Sequence, residues 1–218
     1  MCENKMKLWQ DNMCGRYVLT DGEQREKMQE FIEMCNRYAP EDERISVHFE
    51  VEVRPGDMAP GMICVGNTVQ ATAMRWGFAG KDGKLVINAR SENVSERAMF
   101  RYLTESGRCV MPAAAYFEWR RGDGQKYKVA STTQKMMYLA GLCRLNTEGK
   151  REFVILTKPA FGIHSRIHNR MPVTLQTRES ARSWLRGDIS FNDILSGQDN
   201  ALYAAPQGLE QMSMIFDD

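Results

Sequence analysis

The 218-residue sequence has no charge excess to speak of: 29 basic side chains stand against 28 acidic ones, for a formal net charge of +1. A strongly basic coat for nucleic acid is therefore absent, although overall balance leaves room for a local basic cleft. No apolar run approaches the length of a membrane span. The first residues, MCENKMKLWQDN, lack the apolar middle of a signal peptide, so a cytoplasmic location is expected, with no membrane partner. The six cysteines (Cys2, Cys14, Cys35, Cys64, Cys109, Cys143) form no C-x-x-C pair and no zinc spacing, which points to no metal and no cofactor. Histidine is scarce, with only His48, His164 and His168. Internal repeats, low-complexity tracts and Pro/Gly/Ser-rich linkers are also missing, which leaves one domain rather than two.

What is present reads as a mixed chain. Thr20 and Glu23 have capping-box spacing ahead of Met28, Phe31, Ile32 and Cys35, which recur at helical intervals. SENVSERAMFRYLTESG is a second helical candidate, stopped by Gly107. TRESARSWLRGD is a third, capped by Thr177, with Ala181, Trp184 and Leu185 on one face. Between them run strand-like segments such as GMICVGNTVQATAMRWGFA, KLVINAR, RCVMPAAAYFEWRR, KMMYLAGLCRL and REFVILTK. This order predicts an α+β fold with a largely antiparallel, curled, barrel-like sheet and flanking helices, without the βαβ alternation of a Rossmann fold. Four cysteines (Cys35, Cys64, Cys109 and Cys143) sit among apolar neighbours and suit a reduced core. Cys14 fits that role less easily.

Four short stretches place polar residues where a structural pattern prefers apolar ones. In MCGRY, a Met-Cys that reads like a protein start lies thirteen residues into the chain. In INARSE, alternation puts Asn88 and Arg90 on one face of a strand, with Ala89 opposite. In YFEWRR, Glu118 lies between Phe117 and Trp119, where loss of water favours its protonated form. In RIHNRMPVTL, His168 precedes a Pro-containing strand. Each has a plain structural alternative: Glu118 pointing to solvent, Asn88 closing a strand, His168 satisfied in its loop. The functional reading rests on the combination.

Cys14-Gly15-Arg16-Tyr17, MRWGFAG, Ile87-Asn88-Ala89-Arg90-Ser91-Glu92, AAAYFEW and Ile167-His168-Asn169-Arg170-Met171-Pro172 occur in register, and in this order the chain resembles the SRAP family. The name stands for SOS response-associated peptidase; its members are abasic-site processing proteins. The similarity runs from Met13 to about Leu175 and more weakly into the SWL helix. It implies a single SRAP-like domain, 14–218, preceded by an extension, 1–13, that is a misassigned start or a removed leader. It also implies a cysteine exposed as the mature N-terminus that bonds covalently to abasic sites in single-stranded DNA during the DNA damage response. By position, Cys14 corresponds to the nucleophile, and Asn88, Glu118 and His168 to its active-site companions. Arg16, Trp76, Arg90 and Arg170 correspond to residues that hold the DNA, with Trp76 stacking on a base or wedging the strand. The expected protein is a monomer of the cytoplasm, associated with the nucleoid when bound to DNA. EVRPGDMAP departs from the family, because Glu52 and Arg54 surround a turn that many members precede with Asn and Ala.

The chemistry explains why an N-terminal cysteine is needed. An abasic deoxyribose opens to an aldehyde; an α-amine condenses with it to a Schiff base, and a thiol on the neighbouring carbon closes a five-membered thiazolidine. Both nucleophiles belong to one residue, so the second bond forms at a large effective concentration. Two other readings compete. One is a thiol peptidase or N-terminal-nucleophile amidohydrolase using Cys14, His168 and Glu118, possessing a self-processing activity. The other is a nucleic-acid-binding module that forms no covalent bond.

Overall fold

The computed structural model describes residues 14–20, 22, 24–46, 52–133, 136–196 and 202–208. The extension 1–13, Glu23 of the expected capping box and residues 209–218 of the expected domain lie outside the described residues.

In chain order the strands are β1 (Arg16–Val18), β2 (Glu52–Val53), β3 (Met58–Val65), β4 (Thr68–Trp76), β5 (Phe78–Ala79), β6 (Leu85–Val86), β7 (Asn88–Arg90), β8 (Arg108–Ala113), β9 (Ala115–Trp119), β10 (Lys126–Ser131), β11 (Met137–Leu145), β12 (Arg151–Pro159), β13 (Arg170–Pro172), β14 (Thr174–Leu175) and β15 (Leu202–Pro206). The helices are α1 (Arg25–Asn36), α2 (Leu103–Ser106), α3 (Arg178–Arg186) and α4 (Phe191–Ser196).

Five long strands close on themselves. β12 pairs with β4, β4 with β3, β3 with β8, β8 with β11, and β11 returns to β12. Every pairing in this ring is antiparallel except β4 with β12. Closure removes the free edges that a curled sheet would otherwise expose. A second sheet, in the order β15-β10-β9-β1-β2, is antiparallel throughout. The expected α+β architecture, with a barrel-like antiparallel core and flanking helices, is therefore present.

Period-two alternation decides which side chains meet. Along β12, Phe153 and Ile155 join one buried cluster while Val154 and Leu156 join another. The first cluster fills the barrel with Met74, Trp76, Met111 and Leu139 and continues to Tyr17, Tyr116 and Val129 of the second sheet. The second cluster covers the outside of the barrel, where Ala181, Trp184 and Leu185 of α3 pack on Val110 and Ala140. Helix α3 starts as the sequence predicts: Thr177 accepts from the Ser180 backbone N–H at 3.0 Å, and Gly187 ends it in the left-handed conformation. A third cluster seats Met28, Ile32 and Cys35 of α1 beside Ala73 of β4.

Two helical expectations need correction. Thr20 does not cap α1; its hydroxyl accepts from Gly22 N–H at 3.2 Å, and the helix begins at Arg25 without a side-chain cap. SENVSERAMFRYLTESG is not one helix. It is a 3-10 turn at Ser91–Asn93, further turns, and the four-residue α2. Ser91 donates to Thr157 O at 2.7 Å and Glu92 binds Arg170, so side-chain bonds to the barrel hold this segment against it in place of a continuous helical ladder.

Candidate active site

Cys14 precedes β1, and Glu118 lies on β9, which pairs with β1 through Arg16↔Phe117 and Tyr17↔Tyr116. This register carries Glu118 one residue past the start of β1, level with Gly15 and within side-chain reach of Cys14. The backbone nitrogen of Cys14 donates to Glu118 Oε2 at 2.9 Å. The other oxygen, Oε1, lies 3.6 Å from His168 Nδ1, close enough to feel its charge but too long for a hydrogen bond. His168 arrives from the loop between a 3-10 turn at Gly162–Arg166 and β13. Three sequence-distant residues therefore meet as expected, and all three are buried.

Burial sets their protonation. It pushes the Glu118 carboxyl up to about 8, against the opposing pull of the Cys14 N–H and the Arg121 cation. It pushes the Cys14 thiol well above its ordinary value, with Glu118 adding to the shift. The imidazole of His168 is held below its ordinary value, first by burial and then by the cations of Arg121 and Arg170. A neutral imidazole has one donor and one acceptor nitrogen. Nδ1 accepts from Arg170 N–H at 3.2 Å, which assigns the proton to Nε2. Nε2 is buried and has no hydrogen-bond partner among the described residues, so an N–H donor stands open in the site. Cys14 itself has φ 45°, the one non-glycine residue with positive φ among the described residues.

Asn88 and Arg90 share a face of β7, as alternation predicts, while Ala89 is buried on the other. Both line a groove of about 330 Å³ together with Asn93, Arg97, Met99 and Phe100. β7 lies along β12, with Asn88 level with Ile155, a member of the cluster that contains Cys14. Asn93 was not picked out from the sequence, where it reads as one polar residue of the helical candidate SENVSERAMFRYLTESG. A larger cavity of about 510 Å³, lined by Arg75, Arg144 and Glu152 among others, includes none of the eight candidate residues.

Three of the expected DNA-holding residues stand differently. Trp76 is fully buried: its ring stacks on Phe153 at 5.9 Å, tilts against Tyr17 at 5.4 Å, and donates through Nε1 to Ile87 O at 3.0 Å. No ring face is open to a base, so Trp76 is a core residue that supports the site from beneath. Arg170 is also buried; it makes a two-pronged pair with Glu92, one contact at 2.6 Å, and donates to Thr157 O at 2.7 Å. Its guanidinium fastens β13, and with it the His168 loop, to the Ser91–Asn93 turn. Arg16 donates to Glu52 Oε2 at 2.8 Å and lies over Trp119, while Lys126 engages the other oxygen of Glu52. The unusual Glu52 thus neutralises the arginine next to Cys14. Arg90 alone of the four remains exposed.

Comparison with known proteins places the chain in a family. Residues 13–207 match the model of the family described as SOS response associated peptidase (SRAP). The abasic site processing protein YoqW of Bacillus subtilis (strain 168) is 33% identical over 199 residues, covering 84% of each chain. The abasic site processing protein YedK of Escherichia coli (strain K12) is 33% identical over 122 residues, or 53% of this chain and 54% of that one. A crystal structure of a protein from Bacteroides thetaiotaomicron superposes with a TM-score of 0.67 at 19% identity, over 92% of this chain and 94% of that one, which speaks for the fold. With a family match that takes in all eight candidate residues, the chain belongs to the SOS response associated peptidase (SRAP) family.

Proposed function

We propose that the protein processes abasic sites, capturing the open-chain sugar of single-stranded DNA as a thiazolidine on Cys14 once the chain begins at that residue. The observation that carries this reading is the 2.9 Å contact between the Cys14 nitrogen and a buried carboxyl. In the processed form that nitrogen is the α-amine, and Glu118 is placed to take and return its protons. The amine adds to the sugar aldehyde, the carbinolamine loses water with Glu118 as acid, and the thiol adds across the resulting imine, its proton passing to nitrogen. The open Nε2–H of His168 suits an oxygen of the sugar as the ring opens. Asn88 and Arg90 offer an amide and a cation to the adjoining strand in the neighbouring groove. Residues 1–13 are an extension that this chemistry requires to be absent or removed.

The protein named by its family as a peptidase would need a different balance at the same residues. A thiol peptidase works through a thiolate next to an imidazolium. Burial here raises the Cys14 thiol and lowers the His168 imidazole, which opposes that pair on both sides. A thiol that adds late, after an amine has made the imine, tolerates this environment.

The deciding experiment incubates the purified protein with a single-stranded oligonucleotide carrying one abasic site and reads intact mass. A heat-stable adduct equal to protein plus DNA less one water is expected, on a chain that starts at Cys14. Cys14→Ser should lose it. Equal adduct from Cys14→Ser, or from chains that retain Met13, would reject the mechanism, as would peptide turnover without any adduct.

A further inference from the structure

The turn that follows Glu118 carries two arginines with different fates. Arg120 is occupied: it donates to Asp123 Oδ1 at 3.1 Å and to the Tyr127 hydroxyl at 2.8 Å. Arg121 is exposed and, among the described residues, has no carboxylate within pairing distance. Its backbone N–H donates to Ile167 O at 3.1 Å, so the turn leans on the loop that presents His168. The cation therefore stands at the rim of the buried site, three residues from Glu118 in sequence and tied by its backbone to the residue before His168.

We propose that Arg121 binds a phosphodiester of the abasic strand and that this contact couples strand binding to the buried Glu118–His168 pair. The inference rests on the function proposed above. The coupling follows from what faces the pair. Glu118 meets the Cys14 N–H from the segment before β1, His168 from the loop before β13, and Tyr127 as its register partner on β10. His168 meets Glu118 and, from the start of β13, Arg170. Arg170 is already paired with Glu92. Apart from the α-ammonium that a chain beginning at Cys14 sets against Glu118, Arg121 is thus the one cation with a field on both groups that lacks a counter-charge among the described residues, and it disfavours a proton on each. A phosphate on Arg121 cancels that field. Both groups then hold a proton more firmly when DNA arrives, which is when ring opening and dehydration call for an acid.

Two measurements test the two halves. The first uses a single-stranded oligonucleotide with a tetrahydrofuran in place of the abasic sugar, which binds without reacting, and follows anisotropy from low to high salt. Arg121→Gln should weaken binding about tenfold at low salt. It should also reduce the slope of log affinity against log salt by about 0.7, the share of one phosphate contact on a single strand. Arg121→Lys should restore the slope, and Arg120→Gln should match wild type. An unchanged affinity and slope in Arg121→Gln overturns the phosphate contact. The second follows adduct formation against pH at limiting and at saturating abasic DNA. With limiting DNA, which reports the free protein, Arg121→Gln should move the profile to higher pH; at saturation it should coincide with wild type. Coincidence under both conditions overturns the coupling. A wild-type protein that forms no adduct refutes the proposed chemistry, while the anisotropy measurement still decides whether Arg121 holds phosphate.

Discussion

Glu118 ties the stability of the whole chain to pH near neutrality. While Met13 remains attached, the folded carboxyl titrates at about 8, whereas in the unfolded chain it titrates near 4.5. Between these values the folded state keeps a proton that the unfolded state has lost, so stability falls as pH rises. His168 is shifted the other way, and its contribution changes below its ordinary 6.5. The clean window is therefore pH 6.5 to 8, where each unit should remove up to about 1.4 kcal/mol. Urea denaturation across that window should show this decline in wild type and a nearly flat line in Glu118→Gln. A chain beginning at Cys14 should also be flatter, because an ammonium at 2.9 Å stabilises the carboxylate. Equal slopes in wild type and Glu118→Gln would mean that the carboxyl is not held protonated. Much of this site was legible from residue type alone: a Glu between two aromatics predicts desolvation, and the structure buries it. Trp76 and Arg170 are buried where a contact with DNA calls for an open side chain, and the reason is physical. A motif identifies a residue but not its neighbours, and Phe153 and Glu92, which occupy them, lie far away in sequence.

At the scale of elements, a tight constraint lies where β8, β11 and β12 run side by side. A β-carbon on Gly141 would come within 2.6 Å of Val154 O and 2.9 Å of Cys109 Sγ. Backbone cannot yield cheaply there, so Gly141→Ala should cost about 2–3 kcal/mol by strand displacement. A denaturation midpoint within error of wild type would show that the three strands are less closely packed. Helix α3 offers a gentler measure: Thr177→Ala should cost about 1 kcal/mol through the lost cap. The period-3.6 pattern of α1 and α3 and the period-two pattern of the long strands could be read directly, because each buries one face. The segment from Ser91 to Tyr102 could not. Its conformation is set by bonds from Ser91 and Glu92 to β12 and β13, about seventy residues away in sequence.

The whole molecule is a closed ring of strands with a second sheet laid against it, and its protection against opening should follow that division. Amides of β3, β4, β8, β11 and β12 lie in a ladder without a free edge in the ring. Those of β2 and β15 lie at the two ends of the second sheet. In native-state hydrogen exchange the first group should open only with global unfolding, and the second at lower free energy. Uniform protection across both sheets would contradict this. A barrel-like sheet was expected, but which strands close it was not readable in the sequence, because the parallel pairing of β4 with β12 that completes the ring joins segments some seventy-five residues apart and leaves no local signature.

The left-handed backbone at Cys14 has a consequence for how the chain could come to start there. Such a torsion costs a side-chain-bearing residue roughly 1–2 kcal/mol, and it is defined by the carbonyl carbon of Met13. Cutting the peptide bond between the two residues abolishes the angle itself. A chain that starts at Cys14 would therefore not bear this cost, and its amine would sit beside the Glu118 carboxyl without it.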